Sequence, residues 1–127
     1  MLTINAFAAA DTVLIPMQCE YYAMEGLTDL LTSMRLTKRH FNQQLKIEGI
    51  ILTMYDKRLS FSSQVAKEIG QYFGKAVYNT VVPRNVRIAE APSHGKPVSA
   101  YSRLSRGAAA YDSLAAEFLK HEHTMEV

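Results

Sequence analysis

Little in this sequence points to a membrane, an oxidising compartment or a phosphate-binding loop. The single cysteine, Cys19, rules out an internal disulfide and any multi-cysteine zinc site, and it fits a reducing compartment. No apolar run approaches the roughly 20 residues that cross a bilayer. The opening Met1-Leu2-Thr3-Ile4-Asn5 lacks the basic start of a signal peptide, so a cytoplasmic chain is expected. No internal repeat, low-complexity linker or disorder-like segment is present. A phosphate loop of the form G-x-x-x-x-G-K-S/T, in which backbone amides and a lysine surround the phosphates while a hydroxyl holds magnesium, is also absent. The nearest strings, Gly70-Gln71-Tyr72-Phe73-Gly74-Lys75-Ala76 and Gly95-Lys96-Pro97, have the wrong spacing or lack the hydroxyl. The first also stands at a helix end before a strand, the reverse of phosphate-loop order.

What is present suffices for one domain with a core: 127 residues, 48% of them apolar and 20% charged. The net charge of +2 hides an asymmetry. Between positions 84 and 106, Arg84, Arg87, Lys96, Arg103 and Arg106 face the single acid Glu90, so this segment carries +4 and the remainder −2. A solvated basic face and a site for an anion or nucleic acid both fit that pattern.

Along the chain, residues 2–10 are helix-compatible and Val13-Leu14-Ile15, closed by Pro16, reads as a strand covered on both faces. From Tyr22 to about Phe41, Leu27, Leu30, Leu31 and Met34 keep helical spacing, with Arg35, Lys38 and Arg39 suited to the closing turns. Ile47 to Met54 is a second doubly covered strand, followed by the polar loop Tyr55-Asp56-Lys57-Arg58. Ser60, Ser62 or Ser63 is expected to cap a helix through Val65, Ile69, Tyr72 and Phe73 that Gly74 ends. Ala76 to Val82 is the third strand. A loop from Val81 to Pro97 with a helical turn in its middle follows, and then a helix from Ser105-Arg106-Gly107 carries Ala108, Tyr111, Leu114, Ala115, Phe118 and Leu119 on one face. The tail His121-Glu122-His123-Thr124-Met125-Glu126-Val127 is expected to fray. Strands alternating with helices of crossover length predict right-handed crossovers and a parallel sheet between helices. The opening helix, with no strand before it, suggests a fold that has lost its beginning.

Several residues could carry chemistry. Cys19 with His40, His94, His121 or His123 could be a nucleophile and base, but a lone cysteine after a buried strand is more simply structural, and no third member is evident. His121 and His123 offer two metal ligands at most. Asp56 could contact a ligand, although capping its loop is the simpler role, and Tyr21-Tyr22 suits core or interface packing better than a stacking platform. The basic residues are more telling. Arg58 follows the second strand while Arg84 and Arg87 follow the third, so in a parallel sheet all three reach the same rim, where ligands gather. Guanidinium groups there suit phosphate oxygens.

The strings running from Ala10-Asp11-Thr12-Val13-Leu14-Ile15-Pro16 to Leu27, from Val82-Pro83-Arg84-Asn85-Val86-Arg87-Ile88-Ala89-Glu90-Ala91-Pro92 to Pro97, and Ser105-Arg106-Gly107-Ala108 strongly resemble the ParA/Soj family of chromosome- and plasmid-partitioning ATPases. The match covers nearly the whole chain and looks like the C-terminal half of such a protein. The resemblance implies a P-loop NTPase-like, Rossmann-like three-layer fold truncated at its N-terminal side. It also implies a nucleoid-associated homodimer switched by ATP/ADP with magnesium, which binds DNA without sequence preference and is stimulated by a ParB-type partner. The family's deviant phosphate loop and catalytic aspartates have no counterpart here, which implies that this chain alone has no ATPase activity. Carried over residue by residue, the adenine contacts are Pro83, Arg84 and Asn85, with Met54 beside them. The DNA contacts are Arg58 and Arg87, with Arg84, Lys96, Arg103 and Arg106 as neighbours. Two other readings stand beside this one. A MinD-like membrane-associated ATPase would end in a basic amphipathic helix, whereas this last helix sets Asp112 and Glu117, with Glu122 just beyond, against Lys120. A non-enzymatic fragment would dimerise through an exposed sheet edge.

Overall fold

Ile50, Ile51 and Leu52 are consecutive and all buried, which a pleated strand permits only when both of its faces are covered. They form the centre of strand β2 (Lys46–Thr53), the middle of the sheet in this computed structural model, which describes residues 2–121 and 124–127. The described chain opens with α1 (Leu2–Ala9), followed by β1 (Thr12–Gln18), α2 (Ala23–His40), β2 and α3 (Ser60–Phe73). The loop region holds α4 (Val86–Glu90), a 3-10 turn (Ala91–His94) and α5 (Val98–Tyr101). Helix α6 (Arg106–Lys120) and the short strand β3 (Met125–Glu126) complete it.

β1 and β2 pair in parallel, Thr12 beside Lys46 and Gln18 beside Thr53. A bulge at Glu48 and Gly49 shifts the register after Val13, so Ile47 and Ile50 face the same core although three positions apart. That core lies beneath α1, α2 and α3 and gathers Phe7, Ile15, Leu27, Met34, Leu45 and Ile69. A smaller cluster on the opposite face joins Ile51, Tyr78 and Val82 to Ile88 and Leu114, and a third, of Ala91, Val98 and Ala108, supports the loop. Helices therefore cover both faces of an α/β sheet.

Four expectations need correction. β1 runs two residues past Pro16, to Gln18, and is not covered on both faces: Ile15 is 3% exposed but Leu14 is 37% exposed. Proline is tolerated inside β1 because Cys19, three residues on, donates to Thr53, so strand alternation turns the Pro16 nitrogen to the open edge, where no donor is needed. The third strand, Ala76 to Val82, is reduced to two rungs, Ile50 beside Val77 and Tyr55 beside Pro83. Tyr78 donates to Ile50 and Val82 to Leu52, so four steps along one segment match two along β2, and the excess bulges outward. The amides of Asn79 and Thr80 freed there donate to the Glu117 carboxylate at 2.7 and 2.8 Å. The tail is not wholly frayed: β3 pairs antiparallel with the start of β2, making the sheet mixed, and Glu126 binds Lys38 at 2.6 Å and Lys46 at 3.5 Å. The expectation for Glu122 and His123 lies outside the described residues. Finally, none of the three serines caps α3. Leu59 holds that position without a side-chain bond, Ser60 begins the helix, and the buried Ser62 hydroxyl instead accepts from the Asp56 amide at 3.4 Å.

Candidate functional site

Beyond β2 the chain turns sharply at Met54, the one non-glycine residue with a positive φ (53°) among the described residues. The turn is fixed by two backbone bonds across to the reduced strand, Tyr55 to the Val82 carbonyl at 3.1 Å and Arg84 to the Tyr55 carbonyl at 3.0 Å. Met54, Val82, Pro83, Arg84 and Asn85, with Tyr111 from α6, line a cleft of about 470 Å³ that Gln18 and Thr53 close at the strand ends. All four residues assigned to adenine are thus brought to one cavity. Asn85 also caps α4, its Oδ1 accepting from the Arg87 amide at 3.0 Å. Largely apolar walls with few polar groups suit a flat heterocycle better than a charged ligand.

On the other side of the Tyr55–Pro83 rung lies a notch of about 250 Å³ lined by Asp56, Lys57, Arg58, Arg84 and Arg106. Asp56 is 9% exposed and grips Arg58 in a fork, Oδ1 accepting from Nε and Oδ2 from Nη2, both at 3.0 Å, while Oδ1 also takes the Arg58 amide. Those bonds hold the Asp56 carboxyl down at about 2. Asp56 does cap its loop as expected, and it positions Arg58 as well.

The other basic residues do not all join this notch. Arg87, on α4, pairs with Glu90 at 3.2 Å, and Glu90 also accepts from the Tyr101 hydroxyl at 2.7 Å. Lys96 and Arg103 are exposed and line neither cavity. Lys57, Gln18 and Tyr111 were not assigned from the sequence. Lys57 stood beside Arg58 in the polar loop and could have been found there, whereas the other two arrive from distant elements.

The alternatives fall into place. Cys19 is 2% exposed and burial pushes its thiol up, against a role as nucleophile. Tyr21 and Tyr22 are exposed, edge to face at 5.7 Å, and not part of the core. No group of three or more His, Cys, Asp or Glu among the described residues is placed to hold a metal, and His123 lies outside them. Gly74 and Gly95 stop helical segments at φ 52° and 63°, so neither Gly-Lys string makes a phosphate cradle.

A family model described as an AAA domain matches residues 1–47. The sporulation initiation inhibitor protein Soj of Bacillus subtilis is 56% identical over 117 residues, 92% of this chain and 46% of that protein. The chromosome partitioning protein ParA of Caulobacter vibrioides is 49% identical over 122 residues, 96% of this chain and 46% of its own. Cobyrinic acid a,c-diamide synthase of Mycobacterium smegmatis, solved with an ATP analog and magnesium, superimposes with a TM-score of 0.69 at 26% identity, over 99% of this chain and 46% of that one. The cell division ATPase MinD of Pyrococcus furiosus gives 0.65 at 25% identity, over 89% and 44%. The chain spans about half the length of the curated relatives it matches.

Proposed function

The chain belongs to the ParA/Soj family, and we propose from that premise that it serves partitioning of chromosome or plasmid, contributing the adenine side and the DNA side of an ATP-switched protein. Its fold is of the P-loop NTPase-like kind. The observation that carries the reading is the convergence of Met54, Pro83, Arg84 and Asn85 on one apolar cleft, with a cationic rim one residue away. In this reading the cleft takes adenine, and Arg58, Arg84, Arg87 and Arg106 take DNA backbone, with Lys96 and Arg103 adding long-range attraction. The phosphates and magnesium are held by residues outside this chain, so the chain by itself hydrolyses no ATP. A ParB-type partner and a second copy complete the working assembly.

The test is direct. Duplex DNA of unrelated sequences is titrated at several salt concentrations, and a fluorescent adenine nucleotide is titrated separately. Similar affinities on every sequence that fall steeply with salt are expected. Weak nucleotide binding that Asn85→Ala or Pro83→Ala reduces is also expected. Salt-independent or absent DNA binding would remove the DNA assignment. The MinD-like alternative predicts co-sedimentation with anionic vesicles; none is expected, because α6, the helix that would have to dock, sets Asp112 and Glu117 against Arg106 and Lys120 and so carries no net positive charge.

A further inference from the structure

We infer that the start of β2, on the edge opposite β1, is a strand-addition site for an extended acidic peptide of another polypeptide, and that the chain's own tail fills part of it. Lys46 opens β2 and Thr53 closes it, so this site and the nucleotide cleft stand at opposite ends of the strand. The inference is independent of the reading above.

β3 is seated as such a peptide would be. It pairs antiparallel with Lys46 and Ile47 alone, and further along the same strand Val77 stands beside Ile50. Side chains along a strand alternate in direction. Met125 and Val127 accordingly pack against the main core, while Glu126 between them reaches Lys38 at 2.6 Å and Lys46 at 3.5 Å. Lys38 is aimed by a second bond, from Nζ to the Leu45 carbonyl at 2.9 Å. The edge therefore reads an apolar-acidic-apolar segment. Two rungs and a carboxylate that is 68% exposed hold the tail weakly, because ion pairs in solvent contribute little. Such an occupant is exchangeable.

Past Val127 the site continues. A cavity of about 390 Å³ is lined by Arg35, Lys38, Arg39 and Gln43, with Val127 as one wall and no acid among its described residues. Arg35 and Arg39 are exposed, and their side chains have no hydrogen bond or ion pair to protein among the described residues. Because β3 runs antiparallel to β2, a strand continuing in its direction passes from Lys46 towards Leu45 and the end of α2, where the two arginines stand. A longer strand in this register would carry further acids to them. Charge complementarity of this kind selects partners. With main-chain pairing for affinity and alternate side chains for selectivity, it fits a peptide in which acids follow an apolar-acidic-apolar core.

The test titrates a fluorescein-labelled peptide, Thr-Met-Glu-Val-Gly-Glu-Glu, against the full chain and follows backbone amides by NMR. Weak binding with shifts at Arg39, Lys46 and Ile47 is expected. Glu126→Lys sets a cation against Lys38 and Lys46, loosens the tail and should tighten the peptide several-fold. Should that variant fail to fold, Glu126→Gln removes the charge alone and should act in the same direction. Adding Arg35→Glu and Arg39→Glu to either variant should weaken the peptide about ten-fold. The peptide Thr-Glu-Met-Val-Gly-Glu-Glu keeps the charge but puts the first acid out of phase, and it should bind about ten-fold more weakly. Equal binding of the two peptides would reduce the site to a basic surface and overturn it. Shifts confined to other segments, or affinity unchanged in both Glu126 variants, would do the same. Absence of peptide binding, together with a concentration-dependent mass that Glu126→Gln abolishes, would overturn it in favour of the tail of a second copy.

Discussion

Met54 occupies the left-handed region at φ 53°, a conformation that costs a side-chain-bearing residue about 1 kcal/mol or more. The bend it makes aims the chain between cleft and notch, so strain and candidate site coincide. Met54→Gly should raise stability by about 1 kcal/mol in denaturant unfolding while weakening nucleotide in the cleft, because one wall is removed. Gly107 shows the opposite constraint: a Cβ there would come within 2.5 Å of Ile88 Cγ1 and 3.2 Å of Asn85 Oδ1. Gly107→Ala should cost about 1–3 kcal/mol and push α6 away from α4, seen as a lowered urea midpoint with weaker nucleotide binding. Asp56 supplies the pH dependence. Its folded-state value of about 2 lies below the ordinary 3.8, so its contribution to stability is complete above about pH 4 and lost as pH falls towards 2. In Asp56→Asn the acid limb of the stability profile should flatten over that window.

Among the elements, the segment from Val77 to Pro83 is the most instructive. It has the composition of a buried strand and sits where one belongs, but Glu117 on α6 holds its two surplus amides. Burial alone would raise the Glu117 carboxyl, and bonds from Thr80 and Asn79 outweigh it and bring the carboxyl below its usual value. Glu117→Ala should cost about 2 kcal/mol, as charge-assisted bonds do, and should speed amide exchange at Asn79 and Thr80. This partner stands 37 and 38 residues away in sequence, so no local pattern could announce it. By contrast α2 and β2 were legible because their order follows from spacing within themselves: Leu27, Leu31 and Met34 on one helical stripe, Ile50 to Leu52 in one apolar run. The same distinction explains the tail, where β3 depends on Lys38 and Lys46, and α6, whose apolar spacing is present although Tyr111, Phe118 and Leu119 are 41%, 46% and 83% exposed. In the site, Met54, Pro83, Arg84 and Asn85 were named through resemblance and Lys57 was within reach beside Arg58, whereas Gln18 and Tyr111 join only through tertiary placement.

Taken as one molecule, the chain has a well-covered face beneath α1 to α3 and a thinly covered one. On the second, Leu14 of β1 and Phe118 and Leu119 of α6 are exposed, and β1 has no strand on its outer side among the described residues. Unpaired strand edges beside apolar surface favour association. Sedimentation velocity should therefore show a concentration-dependent rise in mean size, and Leu119→Lys should reduce it without lowering the unfolding midpoint. The rung between Tyr55 and Pro83 has a different kind of consequence. Pro83 and Arg84 line both cavities, and Pro83 is itself half of that rung. Walls held in common make a shared ledger for two ligands: any free energy that one occupant spends on moving Pro83 and Arg84, the other gains or loses in equal measure, so either affinity measured in the presence of the second ligand reads out the same coupling.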